Sequence, residues 1–191
     1  MGAITTTLNW TALIGWTVVA VMTVFLHLSG DDTPSGELMK ITLFCELICA
    51  SETLKIAAGL LRGDLALSFT VHYTRLLMYF VTMPHSEVST TVVKMILLAW
   101  SLTEMFRYPM VLFPEVPLLR TIRYATPLIT FPLGAGTEAY AAYKVLMVTE
   151  NMLLKPVLGL VVLINVGGGT LWYPGMIHKV VRSVSGKKKA K

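Results

Sequence analysis

The sequence predicts an all-α fold: a polytopic membrane protein built as a six-transmembrane-helix bundle. Three observations predict it. Hydrophobic residues fill 54% of the 191 positions and charged residues only 14%, where a soluble domain carries roughly 25% charged. Mean hydropathy is +0.67. The apolar residues also fall into long runs separated by short turns rich in Pro, Gly, Ser and Asp, which is the pattern of successive spans. The bundle is expected over 1–181 and a basic C-terminal tail over 182–191.

Segment one, about Leu8 to Leu28, carries no charge. A polar loop, Ser29 to Gly36, separates it from segment two, about Leu38 to Leu61, which holds Glu46, Glu52 and Lys55. Glu52 and Lys55 are three apart and are expected to pair on one helix face. Arg62-Gly63-Asp64 reads as an interhelical turn rather than an adhesion motif. Segment three, about Leu65 to Met83, puts His72 and Arg75 on one face. His72 is read as a packing residue. After the Pro84–Glu87 loop, segment four, about Val88 to Phe113, carries Lys94, Glu104, Arg107 and Tyr108. Pro109 is expected to kink or end it, with Pro114 and Pro117 stiffening the next loop.

Segment five, about Leu118 to Met147, contains Arg120, Arg123 and Glu138. Tyr124, Phe131 and Glu138 recur every seven residues and are expected to form one stripe. Pro127, Pro132 and Gly134 interrupt that stripe, where a helix bends. An ionised side chain near a bilayer centre costs at least ~2.5–3.5 kcal/mol. Such residues therefore face a bundle interior, and Glu138 is expected to do so beside the i,i+3 pair Glu104–Arg107. Segment six, about Met152 to Val181, has Gly167-Gly168-Gly169 in its middle. These glycines permit close helix approach and lack the following Lys-Ser/Thr of a phosphate loop.

Net charge is +5, with the excess concentrated between Lys179 and Lys191. No basic face runs through the body, which excludes a nucleic-acid-binding reading. Cys45 and Cys49 read as small buried hydrophobes, without His or acidic partners at metal-ligand spacing. No metal site is expected. No basic n-region or Arg-rich presequence marks the N-terminus, and the loose myristoylation pattern at Met1-Gly2 and Thr6 is read as chance. Six spans place both termini on one side, and the lysine-rich tail places that side in the cytosol or its equivalent. The end Lys188-Lys189-Ala190-Lys191 also fits a dilysine retention signal of the endoplasmic reticulum.

Several of these residues carry a resemblance. The run AWSLTEMFRY (Ala99–Tyr108), the pair Arg123-Tyr124, and Phe131-Pro132-x-Gly134-x-x-x-Glu138 resemble the 3-hydroxyacyl-CoA dehydratases of fatty-acid elongation, formerly called protein-tyrosine-phosphatase-like proteins. Asn9 with Gly15-Trp16, and Glu52, Gly59, Arg62 and Arg75, extend the similarity from about Asn9 to Tyr143. A phosphatase role does not follow, because no Cys-x5-Arg loop is present.

The resemblance implies loss of water from a 3-hydroxyacyl-CoA to give a trans-2-enoyl-CoA, with no redox or metal cofactor. It implies the lipid bilayer and an acyl-CoA as partners, and the endoplasmic reticulum as location. The family divides proton transfer between a Tyr and a Glu seven residues later. Glu138 matches the Glu; Phe131 stands at the Tyr position and has no hydroxyl. Tyr124 and Tyr108 are the phenols considered as substitutes. Glu52, Arg75, Glu104, Arg107, Arg120 and Arg123 are expected to form the polar core or bind substrate, with Arg107, Arg120 and Arg123 toward the CoA phosphates. Val71 replaces a polar family residue in segment three. Two functions follow: a dehydratase of acyl-chain elongation, or a catalytically inactive homologue. The second would be an accessory subunit among other membrane-protein subunits, with the mitochondrial inner membrane and its respiratory complexes as an alternative setting.

Overall fold

The computed structural model describes residues 3–30, 33–171 and 173–184. Every regular element among them is helical. The helices are α1 (Ala3–Leu28), α2 (Gly36–Ala57), α3 (Leu65–Leu77), α4 (Thr90–Leu112), α5 (Pro117–Ala125), α6 (Pro127–Val148), α7 (Leu154–Leu171) and α8 (Tyr173–Val184). A five-residue π-helical stretch, Met78–Thr82, continues α3. The lysine-rich end, 185–191, lies outside the described residues, as do Asp31 and Asp32 of the first loop.

The helix boundaries follow local chemistry. Ser35 accepts from the Leu38 amide at 3.2 Å, Asp64 from Leu67 at 3.0 Å and Ser89 from Val92 at 3.4 Å, each satisfying an otherwise orphaned N–H of a first turn. Asn151 does the same for α7, accepting from Leu154 at 3.3 Å. Helix α2 ends with Gly59 at φ 70°. There the Leu60 amide reaches back to Lys55 and the Gly59 amide to Ile56, the paired bonds of a glycine-terminated helix. Several threonines inside the helices bond the carbonyl four residues back, as in Thr23→Val19 at 2.7 Å and Thr42→Leu38 at 2.9 Å, so these hydroxyls need no water.

The prolines act unequally. Segment five splits into α5 and α6 at Thr126, with Pro127 opening α6. Pro109 and Pro132, in contrast, sit inside uninterrupted helices. A helical proline leaves the carbonyl four residues earlier without its amide partner. For Pro132 that carbonyl belongs to Leu128, and it accepts the Tyr173 hydroxyl of α8 at 2.9 Å. Helix α7 likewise runs through Gly167–Gly169 without a break.

Neighbouring helices run antiparallel. The start of α1 meets the end of α4, where Trp10 packs edge-on to Phe113 at 5.8 Å, and the start of α4 meets the end of α1, where Lys94 reaches the Leu26 carbonyl. Contacts between α2 and α3 follow the same order: Tyr79 donates to Met39 at 3.0 Å at one end, and Thr53 bonds Ser68 at 2.7 Å toward the other. Helix α4 is central and packs on α1, α5 and α6. The core is apolar and closely filled by Trp16, Val19, Leu97, Trp100 and Val145. Gly15 allows α1 to approach α2, since a Cβ there would stand 2.3 Å from Cys45 Sγ.

Outside this core the helices expose apolar side chains, among them Ile14, Val21, Phe25, Phe44, Phe69 and Leu163. Ala3–Leu28 and Leu154–Val181 are each long and apolar enough to cross a membrane. The end holding Ala57, Leu65, Leu112 and Pro117 also holds Arg62 and Arg120.

A buried ion ladder and the cavity beside it

Charges removed from water need partners at close range. Three helices supply them here. On α3, His72 and Arg75 both reach Glu46 of α2: Nδ1 of the imidazole to Oε1 at 2.6 Å, and Nη1 of the guanidinium to Oε2 at 3.3 Å. The same Arg75 Nη1 donates to Glu104 Oε1 of α4 at 2.9 Å. Glu104 Oε2 accepts from Arg107 Nε, one turn along α4. Arg107 then grips Glu52 of α2 with both terminal nitrogens, at 2.6 and 3.4 Å. Tyr108 closes the series, donating to Glu52 Oε1 at 3.0 Å and lying 3.3 Å from Cys49 Sγ. The order His72–Glu46–Arg75–Glu104–Arg107–Glu52 alternates base and acid, so nearest neighbours in the ladder attract.

The ladder flanks a cavity of about 450 Å³ between α3, α4, α6 and α7. His72, Arg75, Glu104 and Arg107 line one side. Glu138, Phe131 and Arg123 line another. Glu138 is 7% exposed and stands apart from the ladder. Its Oε1 accepts the indole N–H of Trp100 at 2.6 Å, and Asn165 of α7 lines the same cavity. No ion pair engages it among the described residues. Trp100 joins the two polar groups, because Arg75 lies 5.4 Å from the centre of its ring, within cation–π range. Gly134, one turn before Glu138, brings α6 onto α4. A Cβ at Gly134 would meet Ala99 Cβ at 3.3 Å and Glu138 Oε1 at 3.9 Å.

The residues singled out in the sequence separate into three groups. Glu138, Phe131, Arg75, Glu104, Arg107 and Arg123 share the cavity wall. Glu52 and Tyr108 lie behind Arg107 and bond to it or to each other. Tyr124 and Arg120 stand outside: Tyr124 is 36% exposed, Arg120 is exposed, and neither lines the cavity. The break at Thr126 explains Tyr124, because it moves that residue to a different helix from Phe131 and Glu138. Neither Tyr124 nor Tyr108 therefore presents its phenol to the cavity beside Phe131. Phe131 stacks instead on the ring of Tyr173 at 6.4 Å, and the Tyr173 hydroxyl is held by Leu128.

One pairing is corrected: Glu52 binds Arg107 and Tyr108 rather than Lys55. His72 is buried with its Nδ1 satisfied by Glu46, and it also borders the cavity. Trp100, Asn165 and the role of Glu46 were not legible as site features. Glu46 carried the one available signal, a carboxylate inside an apolar run.

The family model described as "Protein tyrosine phosphatase-like protein, PTPLA" matches residues 46–181. That stretch holds every rung of the ladder and every wall of the cavity. The chain belongs to the PTPLA family. A zebrafish (Danio rerio) protein named "Very-long-chain (3R)-3-hydroxyacyl-CoA dehydratase" is 27% identical over 146 residues, 71% of this chain and 41% of the relative. The chain thus aligns with less than half the length of that relative. No solved structure matches. The PTPLA match begins at Glu46, the first acidic rung of the ladder.

Proposed function

We propose that the chain spans the membrane six times and that its cavity dehydrates a 3-hydroxyacyl thioester, with Glu138 transferring a proton. In this reading α5 with α6, and α7 with α8, are each one bent span. Both termini and the basic turns at Arg62 and Arg120 face the cytosol, and the membrane is that of the endoplasmic reticulum. Exposed apolar side chains around the bundle support the membrane placement. The name of the zebrafish relative supports the substrate class.

One observation carries the reading: a carboxyl with no ionic partner among the described residues stands in the wall of a cavity, oriented by an indole N–H. A group held in place, desolvated and free of a salt bridge can exchange a proton with a ligand. Its neighbours Arg75, Glu104 and Arg107 are occupied by one another, and we assign them to positioning. Arg123 also lines the cavity and makes no ion pair among the described residues. We assign it to the thioester or a CoA phosphate, since a guanidinium is suited to both. Arg120 faces outward and is left out of the site.

Dehydration breaks the C2–H bond and the C3–O bond and forms a C2=C3 double bond. Glu138 delivers a proton to the departing hydroxyl, which leaves as water, and a second, basic group of the cavity accepts the C2 proton. The test is turnover of 3-hydroxypalmitoyl-CoA by the protein in nanodiscs, followed as trans-2-enoyl-CoA. Production of enoyl-CoA that Glu138→Gln abolishes supports the assignment.

Phe131 favours a second reading. With no hydroxyl at that position, the family's second proton-transfer group is missing, and a fully paired ladder serves packing equally well. The chain would then be an inactive homologue serving as an accessory subunit of a larger membrane complex, in the endoplasmic reticulum or the mitochondrial inner membrane. Gentle solubilisation separates the two: fixed copurifying subunits without turnover favour the accessory role.

A further inference from the structure

We infer that His72, oriented by Glu46, is the catalytic base of this cavity and takes over the proton transfer that Phe131 cannot perform. The inference rests on the dehydratase reading and adds a residue that the sequence resemblance does not assign.

Four observations carry it. His72 lines the same cavity as Glu138 and Phe131. Its Nδ1 lies 2.6 Å from Glu46 Oε1, close enough to fix the ring and, with Nδ1 carrying the proton, to leave Nε2 as the acceptor. Glu46 is itself fixed through its second oxygen by Arg75, at 3.3 Å. The imidazole's other nitrogen has no hydrogen-bond partner among the described residues, yet it is not among the sealed, unpartnered polar atoms of the interior. His72 borders two cavities, the one it shares with Glu138 and a smaller one lined by Phe69, Tyr73 and Leu76. A base whose far side is held by a carboxylate is the arrangement that makes an imidazole an oriented proton acceptor.

A chain of contacts connects His72 to Glu138. Glu46 holds Arg75, Arg75 lies under the Trp100 ring, and the Trp100 indole holds Glu138. The two groups are thus set by one connected framework on opposite helices, α3 and α6.

The step balances without any further reactant. Nε2 of His72 takes the C2 proton, and the electron pair of that bond becomes the C2=C3 π bond. The C3–O bond breaks as Glu138 gives its proton to the leaving oxygen, releasing water. His72 is left as imidazolium beside Glu46 and Glu138 as carboxylate. Return of the proton from His72 to Glu138 through water restores both.

The experiment compares wild type, His72→Gln, Phe131→Tyr and the double variant in nanodiscs with 3-hydroxypalmitoyl-CoA. Removing a general base lowers turnover by ~10²–10⁴-fold. We expect that loss of kcat in His72→Gln, with KM little changed, and recovery of most of it when Phe131→Tyr is added. A folding defect on α3 would not be rescued by a hydroxyl on α6. Glu46→Gln should show a smaller loss, as a positioning residue. Unchanged kcat in His72→Gln overturns the assignment. An inactive wild type that Phe131→Tyr activates also overturns it, while leaving the dehydratase cavity standing. Inactivity of both wild type and Phe131→Tyr overturns the dehydratase reading along with it. A second measurement avoids the variant. With His27, His85 and His178 changed to Gln, diethyl pyrocarbonate should inactivate the enzyme by modifying His72, and 3-hydroxypalmitoyl-CoA should protect it. Full activity after complete modification of His72 contradicts the proposal.

Discussion

The indole nitrogen of Trp100 donates to Glu138 Oε1 at 2.6 Å, and it ties the central helix α4 to the carboxyl on which the proposed chemistry depends. Both side chains are buried. Trp100→Phe removes the donor and also leaves a small cavity where the second ring stood. An unmet buried acceptor costs ~1–3 kcal/mol. The expected outcome is a lower melting temperature together with lower turnover, read by thermal denaturation and enoyl-CoA formation in parallel. Loss of neither would mean that the bond does not orient Glu138.

Tyr173 and Pro132 are coupled through the Leu128 carbonyl. Tyr173→Phe leaves that carbonyl without its donor, because Pro132 has no N–H to offer. A destabilisation of ~1–3 kcal/mol is expected. In a Pro132→Ala background the helix supplies its own amide, so the same substitution should cost much less. The double-mutant cycle measures this directly: equal costs in both backgrounds would contradict the coupling.

How much of this was legible in the sequence depends on separation along the chain. The Glu104–Arg107 contact lies within one helical turn, and spacing alone predicts it. Glu46 with His72 and Arg75 joins residues on different helices, and no spacing within one segment says which helix will face it. The misplacement of Glu52 has the same origin. Lys55 is near in sequence, but Arg107 offers a two-pronged donor that holds both carboxylate oxygens. Segment five misleads for a different reason. Proline at Pro127 falls where the chain turns from α5 to α6, whereas Pro132 survives inside α6 because a distant tyrosine satisfies the carbonyl it frees. The seven-residue stripe therefore keeps Phe131 and Glu138 together and loses Tyr124.

Gly15 sets the distance between α1 and α2. Gly15→Ala places a methyl 2.3 Å from Cys45 Sγ, and overpacking of this kind costs ~1–3 kcal/mol. Cys45→Ala removes the obstructing sulfur. The expected result is a lowered melting temperature for Gly15→Ala that is largely restored in the double variant. No shift in the single variant would mean that Cys45 turns aside freely.

Six spans fix which loops share a face. With Cys45 and Cys49 replaced by Ala, single cysteines at Ser35 and Ser86 should label from one face of sealed vesicles. Cysteines at Arg62 and within residues 185–191 should label from the other. Labelling of Ser35 and Arg62 from the same side would break the six-span topology.

The central claim is that Glu138 moves a proton in a dehydration reaction. Purified protein in nanodiscs is given 3-hydroxypalmitoyl-CoA, and trans-2-enoyl-CoA is measured for wild type and Glu138→Gln at matched folded fraction. The account predicts turnover by wild type and a loss of ~10²–10⁴-fold in Glu138→Gln. Equal turnover by the two proteins, or none by wild type, would contradict it.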